Sequence, residues 1–549
     1  MLCGAVSFQC LDRMTTRRDF LKTGVTAATL TAIASTPRPL LAQLGQRSTE
    51  PVPPIDDPRL KELATRAIEA ARSAGAVYAD ARLTHICKRD LGVAAVSDSE
   101  FLTVGVRALV GGYWGFASGA LWSPDEMARL GREACHQAKA NVLGKSRTVD
   151  LAAVASISDG HWVMPVKIDP FEVSPFEVND FLKSMEIFVV RTLGGGIIGN
   201  GCQFFKQDRI FASTAGTYCT ERSYRTAGTF AIQASSTDRK KTGTGELDCL
   251  TPAGVGWEMY HDQPLREKIR QLSEEIKEDL ALPVKPLDVG RYDTILDAAS
   301  VIKLLHETLG AATELDRALG FEANAEGTSY INEPFSMLGT YQVGAPSLTV
   351  TANRSETGGA ATVKWDDEGV SPEEFTLVKD GILVDFQTTR ESAGWLKDYY
   401  GKTGKPFRSH GCAAAPSASY APLQHASNLM LNPGRDALDF DSLVSGVTRG
   451  IAVKGATYDM DFQHSSGLGL GRTYEVKNGK RVAMINSAAL LFRATELWKG
   501  LLTVGGSASL RRFGIASTKG EPEQEHYASV TAPPAVFKQA TFIDPLRKA

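Results

Sequence analysis

The sequence predicts an α+β protein of two domains, a mixed α/β N-terminal domain over 57–282 and a β-rich C-terminal domain over 287–549. Three observations carry this. Roughly 500 residues remain beyond an export-type N-terminus, more than one hydrophobic core ordinarily serves. The first half alternates helix-period and strand-period segments. Beyond Pro283 and Pro286 the pattern turns mostly to alternating apolar runs joined by Asp-Gly and Asn-Gly turns.

In chain order, Thr16-Arg17-Arg18-Asp19-Phe20-Leu21-Lys22 places paired arginines ahead of a weakly apolar run from Val25 to Ser35. This is the twin-arginine pattern. The run is too short to span a bilayer, which takes about 20 apolar residues, so it reads as a signal region over 1–42 with cleavage after Ala42. The expected location is therefore the periplasm, or another destination reached by that route, with no stable membrane anchor. A Pro-rich linker (43–56) follows.

From Asp57 to Gly75, Leu60, Leu63, Ala64, Ile68 and Ala71 recur at helical spacing. Val77–His85 and Phe101–Val110 read as strands, with Gly111-Gly112 as a hairpin turn. Ser123-Pro124-Asp125-Glu126 and Ser174-Pro175-Phe176-Glu177 each set Ser, Pro and Glu as a capping box requires, so two helices start there. A strand-rich block covers 198–235, and a charged helix runs from about Leu265 to Leu280. Pro283 and Pro286 cannot continue it, which places the domain boundary there. Asp380-Gly381 and Asn478-Gly479 are hairpin turns between alternating runs. Gly467-Leu468-Gly469-Leu470-Gly471 reads as a flexible loop and His410-Gly411-Cys412 as a surface loop.

The chain carries 60 Lys and Arg against 63 Asp and Glu. Loss of residues 1–42 removes five bases and two acids, taking the net charge from −3 to −6. Such a balance argues against nucleic acid as a partner. Six cysteines lie beyond the signal (Cys87, Cys135, Cys202, Cys219, Cys249, Cys412), none in a CxxC pair, and they read as free thiols.

Chemistry is concentrated in one segment. Ser300–Leu309 reads as a helix with Val301, Leu304, Leu305 and Leu309 as its buried stripe and His306-Glu307 beside it. An imidazole can bind a metal, and the next carboxylate can take a proton from metal-bound water. By itself the dipeptide reads as a polar pair on a half-buried helix. GxSxG, P-loop and HExxH patterns are absent, and no GxGxxG stands at a strand-to-helix turn.

The run from His306 through Asn324 to Ser329 closely resembles the signature of the TldD/PmbA family of metallopeptidases. Gly105–Phe116, Phe211–Thr229, Asp366–Val370, Asp380–Val384 and Lys519–Phe537 resemble the same family in the same order. The resemblance implies a two-domain α+β architecture, assembly in pairs around a closed cavity, and hydrolysis of unstructured peptides with one zinc. In active members the metal is held by both histidines of an HExxxH helix and a cysteine near the C-terminus, with the motif glutamate as general base.

Carried over, His306 matches the first metal ligand and Glu307 the catalytic base. The second histidine falls on Ala311, and the cysteine on Ser517 or Ala532, none of which can ligate as the family residues do. One of three expected ligands is left. A single imidazole does not hold zinc against water. The expectation is therefore an exported metallopeptidase homologue with a degraded zinc site, a possible pseudoenzyme, working as a homo- or heterodimer with a TldD/PmbA-family chain. The alternatives are a non-catalytic PmbA/TldE-like subunit and a peptide-binding envelope protein. Glu314, Asp316, His464 and His526 are candidate substitute ligands, each read as a solvated polar residue.

Overall fold

Seven strands of the first half form one sheet. In space the order is β3 (Tyr113–Gly119), β2 (Ala95–Val110), β1 (Tyr78–Gly92), β5 (Gly196–Ser213), β6 (Tyr218–Ser235) and β4 (Gly160–Val163), with β7 (Thr242–Glu246) on the far end of β6. All neighbours are antiparallel except β4 against β6. The computed structural model describes residues 52–546, apart from 93–94, 143–147 and 237. The twin-arginine segment lies outside the described residues. Residues 48–549 form one compact unit, in which no helix among the described residues is long and apolar enough to cross a membrane.

Helices Pro58–Ser73 and Pro124–Asn141 cover one end of this sheet through Leu60, Ala64, Met127 and Leu130, packed on Leu83, Val104 and Val106. Helices Pro175–Phe188 and Leu265–Ala281 cover the other end with Trp257 between them. The Ser123 and Ser174 hydroxyls cap as expected, accepting from the amides of Glu126 and Phe176 at 3.3 Å. The reciprocal half of the capping box is not formed: the Glu126 carboxylate takes Arg129 instead, at 2.7 Å. One turn of exposed helix favours an i,i+3 ion pair over the return bond.

The second half holds a six-stranded and an eight-stranded sheet around a large apolar core. Asp380-Gly381 and Asn478-Gly479 are two-residue hairpins in which both residues have positive φ (50° and 80°, 48° and 74°), the geometry Asx-Gly supplies. Val284–Pro286 ends the preceding helix by pairing with the strand Lys480–Asn486.

Two loop expectations are corrected. The glycine-rich run belongs to the strand Ser466–Lys477. Gly467, Gly469 and Gly471 fall on one face, where a Cβ would come within 2.7–2.9 Å of Met460, Tyr458 and Ala456; close approach, not flexibility, accounts for them. His410 and Cys412 are buried, His410 stacking on Phe375 at 3.8 Å between ring centroids.

A buried charge network joins the halves. Arg82 (β1) meets Asp367 at 3.1 Å, Arg209 (β5) meets Asp367 at 3.1 Å and Glu221 at 3.3 Å, and Arg107 (β2) bridges Asp80 at 2.6 Å and Glu368 at 3.2 Å. Burial alone would raise the Asp367 carboxyl; Arg209, Arg82 and Arg354 outweigh it and hold it below the usual range. The Asp366–Val370 stretch is thus the counter-charge to arginines on three strands. This explains why Tyr78–Thr84 is buried on both faces where alternation predicts one.

The six cysteines from Cys87 to Cys412 are free thiols.

Candidate active site

The helix that carries His306 starts at Ala298 and is pinned at its N-terminus. The Asp297 carboxylate accepts from the Ser300 amide at 2.9 Å and from the Gly455 amide at 3.0 Å, tying the first turn to the strand Arg449–Met460. Val301, Leu304, Leu305 and Leu309 are fully buried, as the periodicity predicts. The last turn differs from a plain α-helix. His306–Gly310 is a π turn, closed by the Ala311 amide donating to the His306 carbonyl at 3.1 Å.

This turn decides where position 311 points. Five residues of α-helix rotate about 500°, leaving residues i and i+5 about 140° apart. An i→i+5 hydrogen bond brings residue i+5 back over residue i. Ala311 accordingly faces the same cavity as His306, and the π turn is the local structure that an HExxxH spacing needs.

The cavity has a volume of about 230 Å³ and is lined by His306, Glu307, Ala311, Ser517, His425 and His464, with Glu314, Arg317 and Glu326 at its wall. Ser517 reaches it from the strand Arg511–Lys519. Ala532 does not; it packs in the apolar core.

Burial sets the electrostatics. His306 is 6% exposed and its imidazole is pushed down to about 4 by desolvation, with Glu314 opposing and His464 and Arg317 reinforcing. It is neutral at ordinary pH, and its Nδ1 is buried without a hydrogen-bond partner. Glu307 is pushed up to about 7 by burial, against the pull of Arg317. That is the range a general acid or base uses.

Glu314, Asp316 and His526 were expected to be solvated and are not. Lys519, fully buried, donates to Glu314 and to Asp316 at 2.9 Å each, and Arg317 meets Glu314 at 3.0 Å. These acids are occupied by cations. His526 stacks on His425 at 4.3 Å between ring centroids. His464 Nδ1 lies 3.0 Å from the Glu307 carbonyl and anchors the loop beneath the helix.

His425 was not singled out from sequence. Its Nε2 lies 3.0 Å from Ser517 Oγ, and burial beside His526 and Lys519 holds the ring well below its ordinary pKa. Three of the chain's nine histidines line this cavity and a fourth stacks on one of them; they come from segments that sequence spacing does not connect.

The residues present do not fit a three-ligand zinc site. Ala311 offers a methyl group, Ser517 a hydroxyl already engaged by His425, and Glu314 is neutralised. Among the described residues, His306 belongs to no trio of His, Cys, Asp or Glu whose ligand atoms lie within 4.8 Å of one another.

His306 and Glu307, adjacent on one helix, thus present a neutral imidazole and a carboxyl raised toward neutrality to one cavity of an α+β fold. The PmbA/TldA metallopeptidase C-terminal domain profile matches residues 289–544 and that of PmbA/TldA metallopeptidase domain 1 matches 89–138. Together these cover more than half of the chain, which belongs to the PmbA/TldD family of metallopeptidases. A metalloprotease of Methanocaldococcus jannaschii is 25% identical over 427 residues, spanning 75% of this chain and 86% of that protein. A metalloprotease of Methanothermobacter thermautotrophicus is 25% identical over 269 residues, 47% and 52% of the two chains. The solved structure of a candidate DNA gyrase modulator from Thermotoga maritima superimposes with TM-score 0.65 at 16% identity, over 88% of this chain and all of that one. TldE from Thermococcus kodakarensis gives 0.61 at 12% identity, over 88% and 99%. These two likenesses establish the fold.

Proposed function

We propose that this chain is an exported PmbA/TldD-type metallopeptidase homologue that admits unstructured peptides to the cavity beside His306 and acts together with a partner chain of the same family, its own zinc site being degraded. The observation that carries this reading is the π turn: position 311 lines the same cavity as His306 and presents a methyl group. Ser517, engaged by His425, supports it from the opposite strand. Glu307 keeps the burial and the near-neutral carboxyl of a general base, and the cavity keeps the polar wall that a peptide backbone needs.

The acidic balance beyond residue 42 speaks against DNA as the ligand. The test is hydrolysis of unstructured peptides by this chain alone and after co-purification with a family member that has an intact HExxxH and C-terminal cysteine. Activity is expected only in the pair, and Glu307→Gln in this chain should leave it standing. Stoichiometric, His306-dependent zinc with hydrolysis by this chain alone would contradict the proposal.

A further inference from the structure

A second set of ligand-type side chains lies in the first sheet. His85 and Cys87 are two residues apart on β1 and so point to one face. Cys87 stands directly opposite Glu100 on β2, and His85 directly opposite Asp208 on β5. The registers of two strand pairs thus converge an imidazole, a thiol and two carboxylates.

His85 Nε2 lies 2.6 Å from Glu100 Oε1 and 3.4 Å from Cys87 Sγ. These three ligand atoms all fall within 4.8 Å of one another, and no other trio among the described residues does so. On the other side of the ring, Nδ1 is 3.9 Å from Asp208 Oδ2, and Asp208 is itself fixed by Arg222 at 2.6 and 2.8 Å. A carboxylate that accepts from the far nitrogen of a ligating histidine orients the ring; Asp208, at ion-pair distance rather than hydrogen-bonded, is placed to do so once the ring turns toward a metal. Lys206, opposite Cys87 on β5, sets its ammonium over the Phe171 ring, 4.7 Å from the centroid.

We propose that His85, Cys87 and Glu100 bind a zinc-class divalent cation, with Asp208 as a positioning residue and water completing the coordination. The mixed N, S and O donor set suits zinc and not the all-oxygen shells of magnesium or calcium. Around a tetrahedral ion with bonds of about 2.0–2.3 Å, neighbouring donors sit roughly 3.4–3.6 Å apart. The nitrogen–sulfur distance already matches. The nitrogen–oxygen distance must open by under about 1 Å, and Glu100, with a side chain 59% exposed, is free to give it. Binding replaces the Cys87 thiol proton and the proton shared between His85 and Glu100 with the cation.

The test uses the full chain, stripped with chelator and titrated with cobalt(II) and then zinc. One cobalt per chain should produce a thiolate-to-metal absorption band that zinc abolishes. Cys87→Ser should lose the band, Asp208→Asn should keep it with affinity lowered about 10–100-fold, and His306→Ala should leave it unchanged, which separates this site from the family cavity. In unmutated protein, zinc should slow alkylation of Cys87, mapped by mass spectrometry, while Cys249, the other half-buried thiol, is unaffected. A band that survives Cys87→Ser, or Cys87 alkylation indifferent to zinc, would overturn the proposal. The second readout needs no variant to fold.

Discussion

Glu307 and His306 are neighbours in sequence whose burial drives their protonation in opposite directions, and stability should record both. Glu307 has its folded pKa raised to about 7, so the stability it contributes as a neutral carboxyl is complete below about 4.5 and is lost as pH rises to 7. His306, lowered to about 4, works the other way: stability rises as pH climbs through 4 to 6.5 and the ring sheds its proton. In chelator-treated protein, Glu307→Gln should match wild type near pH 4 and exceed it by about 2–3 kcal/mol at pH 8, measured by denaturant unfolding. A difference that shrinks with rising pH would show the carboxylate is not buried as described. Ala311→His with Ser517→Cys should restore a ligand set and raise zinc retention to about one ion per chain at this site; if it does not, the π turn fails to aim position 311 at His306. His306, Glu307 and Ala311 could be placed together from sequence because the helix motif is contiguous, whereas the distant strand position stayed open between Ser517 and Ala532 until the cavity lining chose Ser517. His425 was not, since nothing local distinguishes it. Glu314, Asp316 and His526 were misread as solvated because the cation that buries the two acids, Lys519, lies about 200 residues downstream.

Among elements, the structure separates a strand from a loop at Gly467–Gly471. In a flexible loop Gly469→Val would be nearly neutral. Here the added Cβ meets the Tyr458 ring at 2.8 Å, so the variant should lose about 1–3 kcal/mol on thermal unfolding; unchanged stability would restore the loop reading. Glycine runs are opaque in sequence because they serve both mobility and close approach. Hairpins at Asp380-Gly381 and Asn478-Gly479 were legible for the opposite reason, as few dipeptides tolerate two positive φ values in succession. The π turn could not be read from periodicity, which resolves a helix but not a change of pitch over five residues.

At the scale of the whole molecule, the halves are joined through charge as well as apolar packing. Asp367→Asn leaves Arg82 and Arg209 buried without their shared carboxylate and should cost about 3–5 kcal/mol in unfolding experiments; a change below about 1 kcal/mol would mean water reaches the network. The α+β class and the change of texture near residue 283 were visible in sequence, whereas this joint depends on pairings hundreds of residues apart. Export belongs to this scale too. Replacing both Arg17 and Arg18 with lysine should trap the precursor in the cytoplasm on fractionation, and undiminished periplasmic protein would exclude the twin-arginine route.

The donor deficit around His306 is tested most directly by counting zinc in the Cys87→Ser protein, purified without chelator, with and without His306→Ala. The expected result is far less than one zinc per chain, unaffected by loss of the imidazole. One zinc per chain that disappears with His306→Ala would mean that His425, His464 or another group completes the shell, and that the chain carries a working metal centre of its own.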